Sequence, residues 1–283
     1  MNAKSIVVIG APRSGTNMLR DALCGLHGLA TWPCDEINYV WRHGNVLFPT
    51  DELPAELATT AICGYVNRSF DWVRRRYGVD IVVEKTTANC LRVEFVNTVL
   101  PDARFVYIYR DGLDVIASAR HRWTAKLDLP YLARKARFVP MGDLPFYATR
   151  YLMNRFHLKF SGTQRLATWG PRFCGMDELS EDASLEELCA RQWQRCVARA
   201  ESALAGIPAD RVVAVSYERF VRCPASELSR ILEHFEIDRS DEDINSAVAA
   251  VNTRSVGRGH DELREHIQYL REIVGETLER TVQ

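Results

Sequence analysis

Two groups of residues are typed and spaced to hold an anion. Residues 10 to 16 read Gly-Ala-Pro-Arg-Ser-Gly-Thr. Gly15 allows a turn that other residues resist, and Arg13, Ser14, Thr16 and Asn17 place side-chain donors beside it. A helix starting at such a loop points unpaired backbone N–H groups and the positive end of its dipole at one spot, which suits phosphate or sulfate. The second group is Arg110 and Ser118, in Phe-Val-Tyr-Ile-Tyr-Arg-Asp-Gly-Leu-Asp-Val-Ile-Ala-Ser from 105 to 118. Eight residues of helix bring the Ser118 hydroxyl back towards Arg110, near Asp111 and Asp114. An arginine fork and a hydroxyl together can hold a phosphate. The plainer alternative for Arg110 is a surface arginine paired with Asp111 or Asp114.

Both groups require a strand before them and a helix after them. Ile6 to Ile9 is a short β-branched run that reads as a buried strand of a parallel sheet. From Ser14 the apolar positions Met18, Leu19, Ala22, Leu23 and Leu26 take helical spacing. Further strands are predicted at Asp80 to Val83, Arg104 to Tyr109 and Arg211 to Val215, with at most a short one between Gly25 and Glu36. Helices are predicted over 51–77, from about Asn89 to Leu100, from Leu113, over 184–205, from Pro224 through Phe235, and after His260 to the end. Alternating strand and helix imply parallel α/β layering, with ligands at the carboxyl ends of the strands.

From His121 to Gly175 the character changes. Arg134, Lys135, Arg137 and other cations outnumber Asp128 and Asp143, and Tyr131, Phe138, Phe146, Tyr147 and Tyr151 interleave with them. The stretch reads either as a helical excursion with a solvated basic face or as an acceptor-binding cap over about 121–180. With no linker or repeat, residues 1–283 read as a single domain.

The net charge of −1 gives no field that would favour nucleic acid or an anionic membrane. Eight cysteines without a CxxC pair or a Cys/His cluster point to reduced thiols, no metal site and a cytoplasmic setting, with Cys189 and Cys196 as core residues. There is neither a signal-peptide pattern nor an eighteen-residue apolar run. The oligomeric state is not legible. A nucleotide-binding P-loop places Lys after its second glycine, where this chain has Thr16, which disfavours a small-molecule kinase. An ordinary strand-to-helix turn is the plainer reading of the first loop.

Taken together and in this order, Gly10-Ala-Pro-Arg-Ser-Gly-Thr16 and Tyr109-Arg-Asp-Gly-Leu-Asp-Val-Ile-Ala-Ser118 resemble the sulfotransferases that use 3′-phosphoadenosine-5′-phosphosulfate (PAPS). The resemblance is specific over residues 5–36, 80–120 and 210–260 and uninformative over 37–79 and 121–180. It implies a P-loop-like three-layer α/β fold: a central, mostly parallel sheet flanked by helices, with a helical excursion on the acceptor side. It also implies that Arg13, Ser14, Gly15, Thr16 and Asn17 grip the 5′-phosphosulfate while Arg110 and Ser118 grip the 3′-phosphate. Ser216-Tyr217-Glu218 resembles the family's element near the adenine, and Ser255-Val256-Gly257-Arg258 the loop that closes over the 3′-phosphate.

Cytosolic phenol and steroid sulfotransferases carry a Lys in the first loop and a catalytic His after a Lys-Thr pair. Here Arg13 and Thr87 stand in those places. The chain looks closer to the tyrosylprotein and polysaccharide branch, which implies Glu36 as general base and Lys85 and Arg13 as stabilisers of the transferred charge. Thr87 and Gly112 replace prolines of the commoner motifs, Glu84 reads as structural, and His27, His43 and His121 are the fallback bases. The reaction implied is metal-free in-line transfer to a hydroxyl of a sugar, glycolipid, peptide tyrosine or specialised metabolite, leaving 3′-phosphoadenosine-5′-phosphate. A non-catalytic nucleotide-binding protein of the same fold is the third possibility. It is disfavoured by the joint presence of Arg13, Glu36, Lys85, Arg110 and Ser118.

Overall fold

The computed structural model describes residues 5–124, 139–149, 152 and 169–281. β1, Ser5–Ile9, is buried along its whole length. A β-branched run with no exposed face belongs in the middle of a sheet covered on both sides. Around it the order is β2 (Leu29–Ala30), β3 (Ile81–Lys85), β1, β4 (Arg104–Tyr109), β5 (Val212–Ser216), all parallel.

The helices, in chain order, are α1 (Thr16–Cys24), α2 (Asn38–Trp41), α3 (Thr60–Tyr77), α4 (Val93–Val99), α5 (Gly112–Trp123), α6 (Met176–Asp182) and α7 (Leu185–Leu204). They continue with α8 (Tyr217–Arg222), α9 (Pro224–His234), α10 (Asp241–Val248), α11 (Arg258–Glu262) and α12 (Ile267–Thr281). Residues 144–149 are also helical.

Alternation along β1 divides the core into two layers. Val7 and Ile9 join Phe70 of α3, Phe95 of α4, Trp193 of α7 and Leu270 of α12. Ile6 and Val8 join Leu19 and Leu23 of α1, Ile231 of α9 and Ile244 of α10. This is the three-layer arrangement that the resemblance implies, built on the parallel α/β layering read from the alternation of strand and helix. The expected cysteine burial also holds: Cys189 and Cys196 are 1% and 0% exposed.

Two predicted helices are shorter than expected. Instead of 51–77, the chain makes a single 3₁₀ turn at Ala55–Leu57 and then α3, capped by Thr59 accepting from Ile62 N. Pro54 disfavours helix at the residue before it, and Asp51 is drawn inward. The Asp51 carboxylate lies 3.0 Å from Arg42 Nη1 and 3.5 Å from Arg92 Nη1 and accepts from Arg172 N at 2.9 Å. The helix predicted from Asn89 is broken at Arg92, whose φ of −144° separates the 3₁₀ turn Thr87–Leu91 from α4. Arg92, buried to 2% exposure, is committed to Asp51, Asn89 and Asn38, so long-range pairing overrides local helix preference.

Much of the basic aromatic stretch, including Arg134, Lys135 and Arg137, lies outside the described residues. Among the described residues no helix is long and apolar enough to cross a membrane.

Candidate active site

Each of the five parallel strands ends beside a residue singled out in the sequence. The anion loop follows β1, Lys85 is the last residue of β3, Arg110 follows β4 and Tyr217 follows β5. Glu36 stands in the loop after β2. Register makes this convergence compact, because Val8 pairs with Lys85, Ile9 with Tyr107 and Tyr109 with Ser216.

In the first loop Arg13 and Gly15 both adopt positive φ, 74° and 91°. Gly15 is the N-cap of α1, and no side chain caps that helix end. A Cβ on Gly15 would collide with the Tyr217 ring, so glycine is required by both dihedral and space. The uncapped first-turn N–H groups thus face the loop with their partial positive charge. Ser14 and Thr16 are buried at 1% and 4% exposure, and Asn17 Nδ2 reaches Asp35 Oδ2 at 3.4 Å.

Arg13 Nε donates to Ser118 Oγ at 2.9 Å, joining the first loop to the second anchor. Dehydration, followed by the charges of Arg122 and Arg110, lowers the pKa of Arg13, while Asp35 and Tyr217 oppose that shift. The Arg13 guanidinium is thus repelled by two others, an arrangement an anion would relieve.

Arg110 is 6% exposed. Its guanidinium lies 4.3 Å from the centroid of the Tyr217 ring. Nη1 donates to Arg13 O at 3.1 Å, and Nη2 donates to Asp114 Oδ2 at 3.1 Å and to Ser255 O. Nε is buried and has no partner among the described residues. A buried donor left open beside an uncapped helix end fits a phosphate oxygen. Tyr217, itself 6% exposed, lies between Gly15 and Arg110 and is a platform for both anchors.

The third group centres on Glu36. Its Oε1 accepts from Lys85 Nζ at 3.0 Å, from Thr87 Oγ1 at 3.0 Å and from Thr87 N at 3.4 Å. The preceding residue, Asp35, is held by Arg20 Nη1 at 2.9 Å, which anchors this loop to α1. The next residue, Ile37, donates its N–H to Thr86 Oγ1 at 3.2 Å. Thr86 in turn donates to Glu84 Oε1 at 2.6 Å, and Asn89 Nδ2 donates to Glu84 Oε2 at 2.8 Å. Glu84 is fully buried, and burial pushes its carboxyl above the ordinary range. It therefore props the segment from beneath, in the structural place expected of it.

Arg258 lies at the start of α11, with its guanidinium 3.3 Å from Glu262 Oε1 and its side chain 68% exposed. The loop that carries it is bound to the second anchor through Ser255 O and Arg110. His27 lies beyond the last residue of nine-residue α1, about 14 Å along that helix from the anion loop. His121 pairs with Glu262 at 2.9 Å, and His43 with Asp143 at 2.8 Å. Arg122, on α5, adds its positive charge beside Arg13, which the sequence reading of the first loop did not include. The signal was its spacing, one helical turn beyond Ser118 on α5. Among the described residues no group of His, Cys, Asp or Glu could hold a metal ion.

A sulfotransferase family model matches residues 41–157 and 160–241, well over half of the chain. The match includes Lys85, Arg110, Ser118 and Tyr217, and it begins after the first loop and Glu36. Among solved structures, the chain resembles sulfotransferase STF9 from Mycobacterium avium, at TM-score 0.54 and 13% identity, over 99% of this chain and 77% of that one. It also resembles the sulfotransferase domain from the curacin biosynthetic pathway, at TM-score 0.50 and 12% identity, over 90% and 85% of the two chains. Identities this low speak to the fold alone. No curated protein matched the sequence.

Proposed function

Because the chain belongs to the sulfotransferase family, we propose that it takes its sulfuryl group from PAPS and passes it to an acceptor hydroxyl, with Glu36 as general base. The observation that carries this reading is the joining of three groups around the strand ends: the uncapped loop at Gly15, the Arg110 anchor with its open Nε, and the Glu36–Lys85–Thr87 cluster. The co-substrate supplies an activated sulfuryl group and leaves as 3′-phosphoadenosine-5′-phosphate.

The chain's own residues have separable tasks. The first-turn amides of α1 and Arg13 take the 5′-phosphosulfate, with Ser14, Thr16 and Asn17 shaping the loop. Arg110, Ser118 and Arg258, together with Arg122, take the 3′-phosphate, and Ser255 and Gly257 shape the loop that carries Arg258. Tyr217 backs both anchors. Glu36 accepts the acceptor proton as the new S–O bond forms and the bond to the leaving phosphate breaks. Lys85 and Arg13 meet the negative charge that grows on the transferred oxygens and the leaving group. Lys85 is positioned for this because its ammonium, 2% exposed, is held by Glu36 at the end of a rigid strand.

The reading places the chain nearer the tyrosylprotein and polysaccharide branch, since Thr87 holds Glu36 where the phenol and steroid branch keeps a His. The test is binding followed by transfer. 3′-Phosphoadenosine-5′-phosphate without magnesium should raise the melting temperature, and ATP with magnesium should not. Labelled PAPS incubated with enzyme and a cell extract should then mark the acceptor. Stabilisation by ATP–magnesium alone would replace this reading with a kinase.

A further inference from the structure

Asp114 has no assigned part in the reaction, yet it joins the Arg110 anchor to the segment that carries Arg258. Its side chain is 1% exposed. Oδ2 accepts from Arg110 Nη2 at 3.1 Å and from Gly257 N at 2.8 Å. Oδ1 accepts from Gly259 N at 2.7 Å. Helix α11 has no capping side chain of its own, because Gly257 is its N-cap, at φ 79°. Two orphan N–H groups at the start of α11 are therefore capped by a carboxylate from α5, far away in sequence. The fit is close, for a Cβ on Gly259 would collide with the Leu113 carbonyl. Arg110 completes the join by donating to Ser255 O.

From this geometry we infer that Asp114 is a positioning residue for 3′-phosphate recognition, one carboxylate that aims Arg110 and docks the loop carrying Arg258. The inference rests on the assignment of that phosphate to Arg110, Ser118 and Arg258. The charge matters as well as the shape. A carboxylate can accept from the Arg110 guanidinium and two backbone N–H groups at once, whereas an amide in its place offers one oxygen and turns an NH₂ towards donors. In Asp114→Asn the loop loses part of its docking and Arg110 loses its counter-charge, while the first loop, on β1 and α1, is reached only indirectly, through the Arg110 bond to Arg13 O.

The experiment is calorimetric binding of two nucleotides, 3′-phosphoadenosine-5′-phosphate and 5′-AMP, which lacks the 3′-phosphate, to the wild type and to Asp114→Asn. The variant should lose about tenfold or more in the preference for the bisphosphate while its affinity for 5′-AMP changes by less than about threefold. In turnover, the KM for PAPS should rise by a similar factor, with a smaller fall in kcat at saturation. Gly259→Ala pushes the same loop off α5 by steric contact with Leu113 and should give the same selective loss, which keeps the test open if Asp114→Asn does not fold. Equal weakening of both nucleotides, or of neither, would make Asp114 a fold staple and overturn the inference. If the wild type itself shows no preference for the bisphosphate, the 3′-phosphate assignment fails and the inference fails with it.

Discussion

Replacing Glu36 by Gln tests the chemistry most directly. Glu36 Oε1 accepts from Lys85 Nζ and Thr87 Oγ1, both at 3.0 Å, and from Thr87 N at 3.4 Å. The Gln amide keeps an oxygen for these donors and loses both the negative charge and the ability to accept a proton. Loss of a general base costs about 10²- to 10⁴-fold in kcat, or about 3 to 5 kcal/mol of barrier. The effect on stability should be smaller. Lys85, with a side chain 2% exposed, loses its counter-charge, but the Glu36 side chain is 23% exposed and the amide oxygen still accepts. That places the cost at about 1 to 2 kcal/mol, below the roughly 3 to 5 of a buried pair broken outright. The assays are kcat at saturating PAPS with the acceptor identified from labelled extract, calorimetric affinity for 3′-phosphoadenosine-5′-phosphate, and thermal unfolding. Affinity should stay near wild type, because Glu36 pairs with Lys85 and Thr87 and is assigned to the acceptor proton rather than to the bisphosphate. A folded variant whose kcat stays within about threefold of wild type would refute the assignment and leave Glu36 as the counter-ion of Lys85. If His43→Ala then abolished turnover, the base would be the histidine paired with Asp143.

Four further outcomes follow from the same geometry. Tyr217→Phe should bind 3′-phosphoadenosine-5′-phosphate almost as wild type does, because the ring beneath Arg110 remains, whereas Tyr217→Ala should weaken binding about tenfold or more in a titration. Arg122→Ala should lower that affinity by about threefold to tenfold in low salt, with the difference narrowing in high salt as the cationic cluster is screened. Burial pushes the Asp51 carboxyl up, but Arg92 and Arg42 outweigh it and hold the group below the ordinary carboxylate range. Its contribution is thus complete above an unfolded value near 3.9 and is lost as pH falls through the lower folded value. Asp51→Asn should cost about 3 kcal/mol in urea unfolding at pH 7, with the difference shrinking below about pH 4. Replacing Arg134, Lys135 and Arg137 together should raise the acceptor KM more than the PAPS KM, and an unchanged acceptor KM would return that stretch to a solvated basic face.

The sequence alone determined the layered fold and the strand ends around which the proposed site is built. The β-branched run Ile6–Ile9 and the apolar runs before Lys85, Arg110 and Ser216 each carry their own signal of burial, and parallel strands with helical crossovers bring their carboxyl ends together. Gly15 and Arg110 were legible for the same reason, since each is fixed by its position just after a strand. Only the tertiary structure decided what those residues touch. Nothing local to Asp51 or Arg92 marks a buried ion pair, so the helices predicted through them ran too far. Glu36, Lys85 and Thr87 meet across 49 and 51 residues of chain, and Asp114 reaches Gly257 and Gly259 across 143 and 145. Periodicity and propensity report a residue's neighbours within a few turns, whereas such contacts exist only once the sheet has set which strand ends lie side by side.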